Sequence, residues 1–191
     1  MNVARIITAQ KRAVVATLFF VLCGLFAMST IGNAWGVAWP LVVFYFLLVL
    51  NTYFSIRYFS IIISPVIPSQ IAVDTVLTVF TLLLLTALKD PLSFNVILTA
   101  LFATAVLKYV IAIPVTEYPV LLHRKIRVDA LGVLASSLAT FGVASGHATT
   151  TVLVWAAIFA GANIHVILLR PLYPAPTIRF PKMVEEEHAR R

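Results

Sequence analysis

The stretch that decides the fold runs from residue 71 to residue 113: IAVDTVLTVFTLLLLTALKDPLSFNVILTALFATAVLKYVIAI. It holds two apolar runs, each about as long as the ~20 residues a helix needs to cross a bilayer. They are separated only by Lys89-Asp90-Pro91. Asp90 reads as a helix cap and Pro91 as a helix-opening proline. A turn this tight makes the two runs neighbouring antiparallel helices. Each run carries one charge, Asp74 in the first and Lys108 in the second.

The same pattern extends outward. Apolar runs occupy about 13–31, 39–55, 71–88, 92–113, 129–145 and 150–169, and residues 170–191 form a polar tail. The expectation is an all-α, polytopic membrane bundle of six transmembrane helices, arranged as three antiparallel hairpins in one domain. Composition agrees, since 61% of the 191 residues are hydrophobic and only 11% are charged. A soluble domain carries about 25% charged residues. Trp39-Pro40 marks the start of the second run, with proline in its first turn. Between residues 58 and 69, Pro65 and Pro68 interrupt apolar sequence that either extends the second run or lies in the interface.

Arg5, Lys11, Arg12 and the Gly32-Asn33-Ala34 stretch imitate a secretory signal. The segment is read instead as the first transmembrane helix. The lone Cys23 lies within it as a small packing residue.

Cations segregate by loop. Arg5, Lys11 and Arg12 precede the first run, Arg57 ends the second, and His123, Arg124, Lys125 and Arg127 follow the fourth. Arg170, Arg179, Lys182, Arg190 and Arg191 follow the sixth. The intervening turns carry only Lys89. The positive-inside rule then places both termini in the cytoplasm of a prokaryotic inner (plasma) membrane. Trp35 and Trp39 suit an outer aromatic belt, and Tyr53, Tyr58 and Phe59 an inner one. The net charge of +7 therefore points to the lipid bilayer and its anionic headgroups, with Arg57, Arg124, Lys125 and Arg127 as anchors, and not to nucleic acid. Glu117 and Asp129 flank the basic run, and Asp129 is placed to cap the fifth helix.

Asp74 and Lys108 differ in depth by only about 3 Å at the helical rise, so they are expected to pair. An unpaired charge in a span costs about 2.5–3.5 kcal/mol on insertion scales. Thr78 and Thr81 share the face of Asp74. Asn51, Asn163 and His165 fall at the same inner depth. Together Asn51, Asp74, Thr78, Thr81, Lys108, Asn163 and His165 form a candidate polar cluster for a solute, an ion or an anionic headgroup. The simpler reading is an interhelical staple with hydrogen-bonding partners around it.

Gly132, Ser136 and Thr140 recur every four residues, as do Ala156 with Ala160 and Ala157 with Gly161. This spacing lets helices five and six pack closely on each other, or mediate a homo- or hetero-oligomer with other membrane subunits. No catalytic motif, metal site or cofactor site is read. Three function classes follow: a non-enzymatic subunit that scaffolds a larger membrane assembly, a small channel or transporter using the inner polar cluster, and a lipid-modifying enzyme. The first is the leading expectation.

Overall fold

The computed structural model describes residues 3–63, 68–116, 118–169 and 172. Among them the chain is helical throughout, with no strand. The helices are α1 (Val3–Ser29), α2 (Trp35–Ile62), α3 (Pro68–Thr86), α4 (Pro91–Ala112), α5 (Pro119–Ala144) and α6 (Ala148–Ile164). After α6 the backbone widens into a π turn over His165–Leu169. Six helices are long and apolar enough to cross a membrane. Glu117 and the tail, Leu172 apart, lie outside the described residues.

The helix ends follow local chemistry. Asp90 caps α4: its Oδ1 accepts from the Leu92 amide at 3.0 Å, its Oδ2 accepts from the Ser93 hydroxyl, and Pro91 fills the first position. These bonds satisfy donors that a helix start leaves open. The Ser93 hydroxyl, followed by the Leu92 amide, holds the Asp90 carboxyl below the usual carboxylate range. Helix α5 closes in a Schellman motif, with the His147 amide bonding the Gly142 carbonyl at 3.2 Å and the Gly146 amide bonding that of Val143 at 3.0 Å. Gly146 takes the left-handed position there, at φ +87°.

Two boundaries depart from the sequence reading. Helix α2 begins at Trp35, so Pro40 lies inside it, and it continues past Arg57 to Ile62, as one of the two alternatives for residues 58–69 has it. Pro40 removes one backbone donor, yet the helix continues through it. Helix α5 starts at Pro119 and not near Asp129. The basic stretch His123–Arg127 is therefore helical, and Asp129 is an interior residue rather than a cap. The interspersed Leu121, Leu122, Ile126 and Val128 continue the helix backward through the cations.

Helix α1 packs on α2 and α3, α4 on both α3 and α5, and α6 on α2 and α5. The α4–α5 seam joins helices from different sequence hairpins and is very close. A Cβ added to Gly132 would meet the Phe102 ring at 2.9 Å. Beside it, Thr99 Oγ1 donates to Ser136 Oγ at 2.9 Å. Gly132 and Ser136 thus serve contact with α4, which corrects the expectation that this stripe faces α6. Ala156 joins the buried core, while Ala157 and Gly161 face outward.

The core sits toward the α1–α2 and α5–α6 turns. Phe44 stacks on Phe159 with ring centroids 4.0 Å apart, and Trp155 and Phe94 close around them. Outward faces are strongly apolar. Phe26, Leu138 and Phe141 are each more than 70% exposed. Contiguous apolar surface on this scale is what a hydrocarbon environment accommodates.

Candidate functional site

One end of the bundle is hollow. A cavity of about 350 Å³ opens among the starts of α1, α3 and α5 and the ends of α2 and α4. It narrows toward mid-bundle against Phe20, Leu48, Leu101 and Phe102, which belong to the aromatic and aliphatic core beyond. Its lining is polar and charged toward the helix ends and apolar where it meets that core.

The pair expected from sequence lies on its wall. Lys108 Nζ bonds Asp74 Oδ1 at 2.6 Å. The two ends differ in environment: the Lys108 side chain is 17% exposed and that of Asp74 is 55% exposed. The ammonium is sunk in the wall, and the carboxylate covers it from the solvent side.

A second pair was not expected. Lys125 and Asp129, one turn apart on α5, bond through Nζ and Oδ1 at 2.5 Å, and both line the cavity. Lys125 is 4% exposed and Asp129 1%. Lys125 thus lines the cavity and is buried from the outer surface of the bundle. Arg124 and Arg127 do stay exposed on the same helix, and Arg57 is partly buried. The i, i+4 spacing of opposite charges was visible in the sequence. It carries meaning only once α5 is known to start ten residues earlier.

Tyr109 links the two pairs. Its ring is buried, and the Nζ atoms of Lys108 and Lys125 each lie 5.7 Å from its centroid. That is within the range at which an aromatic face attracts a cation. The Tyr109 hydroxyl hydrogen-bonds Ser55 Oγ at 2.7 Å. Lys108 also lies near enough to Asp129 for their charges to interact. Arg12, on α1, completes the charged lining. Three cations thus face two carboxylates.

Two buried polar atoms on this wall have no hydrogen-bond partner. They are Gln70 Nε2, on a residue 5% exposed, and Asp129 Oδ2. An unsatisfied buried group costs about 1–3 kcal/mol. Thr78 and Thr81 donate their hydroxyl protons to the Asp74 and Leu77 carbonyls of their own helix. They offer only lone pairs to the cavity. The open donor capacity lies with the amines, the guanidinium and Gln70.

Of the seven residues grouped from the sequence, Asn51, Asp74, Thr78, Thr81 and Lys108 line this cavity together. Asn163 and His165 do not. Asn163 is buried on α6 and donates to the Phe159 carbonyl at 2.8 Å. His165 is exposed in the π turn. Equal depth placed them in the group, but α6 stands apart from the cavity wall. Arg12, Gln70, Lys125 and Asp129 are the lining residues that depth counting missed. Among the described residues no group of three or more His, Cys, Asp or Glu comes together to hold a metal ion.

Comparison with known proteins adds no relative, as no family model, no curated protein and no solved structure matches the chain.

Proposed function

We propose that this chain is a multi-pass integral membrane protein of a prokaryotic inner membrane, with both termini cytoplasmic, and that it is a small carrier for an anionic amphiphile taken from the cytoplasmic side. One observation carries the reading: a cavity whose lining joins three cations and two carboxylates to apolar residues of the bundle core. The cavity opens at the end of the bundle where the basic segments lie, which the positive-inside rule assigns to the cytoplasm. Its excess positive charge suits a phosphate or carboxylate group. Phe20, Leu48, Leu101 and Phe102 suit a short apolar portion. A volume of about 350 Å³ is at the small end of ligand pockets.

An inner lining made of packed core residues favours a carrier over a channel, which needs a continuous polar path. A purely scaffolding subunit has no need of a cavity with desolvated ion pairs, since charges inside a span are costly and tend to be functional. The structural role of the Asp74–Lys108 pair is compatible with this reading, since a pair can hold α3 on α4 and still exchange partners.

The test uses the protein in nanodiscs, with empty nanodiscs as the blank, titrated calorimetrically with octyl phosphate, inorganic phosphate and neutral octanol. Phosphatidic acid in the nanodisc forms a further arm. Saturable binding of octyl phosphate, weak binding of inorganic phosphate and none of octanol is expected. Competition by phosphatidic acid would identify a lipid headgroup as the source of the anion. Equal binding of octanol, or no saturable binding of any anion, would remove the proposal. The orientation is checked separately in a Cys23→Ser background. Impermeant thiol reagents should reach a cysteine at Thr149 and one at Arg124 from opposite sides of the membrane.

A further inference from the structure

The two carboxylates of the cavity are held differently, and that difference has a chemical consequence. Asp74 stands more than half exposed, so its side chain has room to rotate away from Lys108. Asp129 has no such route. It is 1% exposed, it sits on α5 where Gly132 and Ser136 clamp that helix to α4, and its Oδ2 has no partner.

We propose that Asp129 is the site at which a proton is bound together with the anionic ligand, so that the cavity takes up the two as a unit. This rests on the anion-binding reading above. As an ion pair, Lys125 and Asp129 are together neutral. A ligand anion that reaches Lys125 adds a negative charge to a pair largely out of water, where an uncompensated ion is costly. Asp129 cannot move away to relieve it. Taking up one proton relieves it completely: the carboxylate becomes a carboxylic acid, Lys125 remains an ammonium, and that ammonium pairs with the ligand. The proton comes from the aqueous mouth of the cavity, and no other bond changes. Oδ2, buried and without a hydrogen-bond partner, is the natural atom to carry it.

The surrounding groups support this assignment. Lys125 on its own helix and Lys108 and Tyr109 on α4 are the ionisable groups nearest to it. Across the cavity stand Asp74 of α3 and Arg12 of α1, while α2 contributes the uncharged Asn51 and Ser55 to the lining and the buried Tyr58 to the cluster around Tyr109. Helix α6 brings no ionisable side chain to this wall. Asp129 is thus the sole described carboxylate of the cavity that is closed off from bulk water.

The experiment is calorimetric titration of the nanodisc-embedded protein with octyl phosphate in buffers of different ionisation enthalpy. The dependence on buffer gives the number of protons taken up per ligand. The wild type should take up about one proton at neutral pH, and its Kd should rise up to about tenfold per pH unit toward alkaline pH. Asp129→Asn should abolish the uptake, while Asp90→Asn, in the remote α3–α4 turn, should keep it. Infrared difference spectra should show a protonated carboxyl appearing with ligand in the wild type and not in Asp129→Asn. Binding without proton uptake in the wild type overturns the inference but leaves the anion site standing. Uptake that persists in Asp129→Asn also overturns it. Absence of octyl phosphate binding overturns both. Octanesulfonate, which has no titratable proton near neutral pH, should be bound with the same proton uptake, and its binding without uptake overturns the inference even if Asp129→Asn does not fold.

Discussion

Asp74→Asn isolates the role of the outer ion pair. Its carboxylate covers a largely buried ammonium at 2.6 Å, so it competes with any incoming anion for Lys108. The size of that competition follows from exposure. Two unit charges at 4 Å interact by about 4 kcal/mol at an effective dielectric of 20 and by about 1 kcal/mol in water. On the reading that Asp74 stands at the aqueous mouth of the cavity, the water-like limit applies, and measured exposed pairs fall at roughly 0.2–1 kcal/mol. Removing the competitor should therefore tighten octyl phosphate binding by about 1.4- to fivefold. Lys108→Ala should act oppositely and more strongly. It deletes a charge-assisted hydrogen bond worth about 1.5–3 kcal/mol, which weakens binding by about ten- to a hundredfold. Titration calorimetry reads both. The exchanged pair, Asp74→Lys with Lys108→Asp, should recover the thermal stability lost in either single variant but not the affinity, because the buried position then holds the carboxylate. Weaker binding in Asp74→Asn would refute the reasoning, since it would make Asp74 a ligand contact rather than a stand-in for the ligand.

Other expectations concern the frame that holds the cavity. Gly132→Val drives a side chain into the Phe102 ring, and overpacking of this kind costs about 1–3 kcal/mol. Thermal unfolding in detergent should show the loss, with partial recovery when Phe102→Leu is added. Gly146→Ala forces a Cβ into left-handed backbone at φ +87° and should cost about 1–2 kcal/mol, leaving ligand affinity unchanged. Asp90→Ala removes the α4 cap and should cost about 1 kcal/mol. Because the folded Asp90 carboxyl titrates below its usual range, the cap contributes fully above the ordinary carboxylate pKa. Its contribution fades as pH falls through the lowered value, so Asp90→Ala and wild type should converge in stability only in strong acid.

The helices were legible because apolar run length is a direct record of span length. Where the reading slipped, the cause was charge. At the start of α5, the cations His123 to Arg127 look like a loop when judged by hydropathy alone. They are helical because Leu121, Leu122, Ile126 and Val128 continue the apolar sequence between them, and Leu122 packs with Phe59, Ile63 and Tyr109. The α4–α5 seam was hidden for a different reason. Small residues at four-residue spacing mark a close helix contact without naming the partner, and only the Phe102 ring over Gly132 does so.

The site was half legible, and the division follows from what a depth count can and cannot see. Depth along a helix is fixed by rise per residue, so Asp74 and Lys108 could be matched from sequence. Azimuth around the bundle is set by helix packing. Asn163 has a suitable depth but belongs to α6, which packs on α2 and α5 outside the cavity wall. Arg12 and Lys125 failed the count in the opposite sense, because the positive-inside rule had already explained them. A cation near a helix end satisfies that rule equally well facing lipid or facing inward. What separates the cases is an acid one turn away on the inward face. Lys125 has Asp129 there and is buried; Arg124, one position back, points outward and stays exposed. An i, i+4 acid–base pair at the cationic end of an apolar helix is therefore a sharper sign of a buried site than either charge alone.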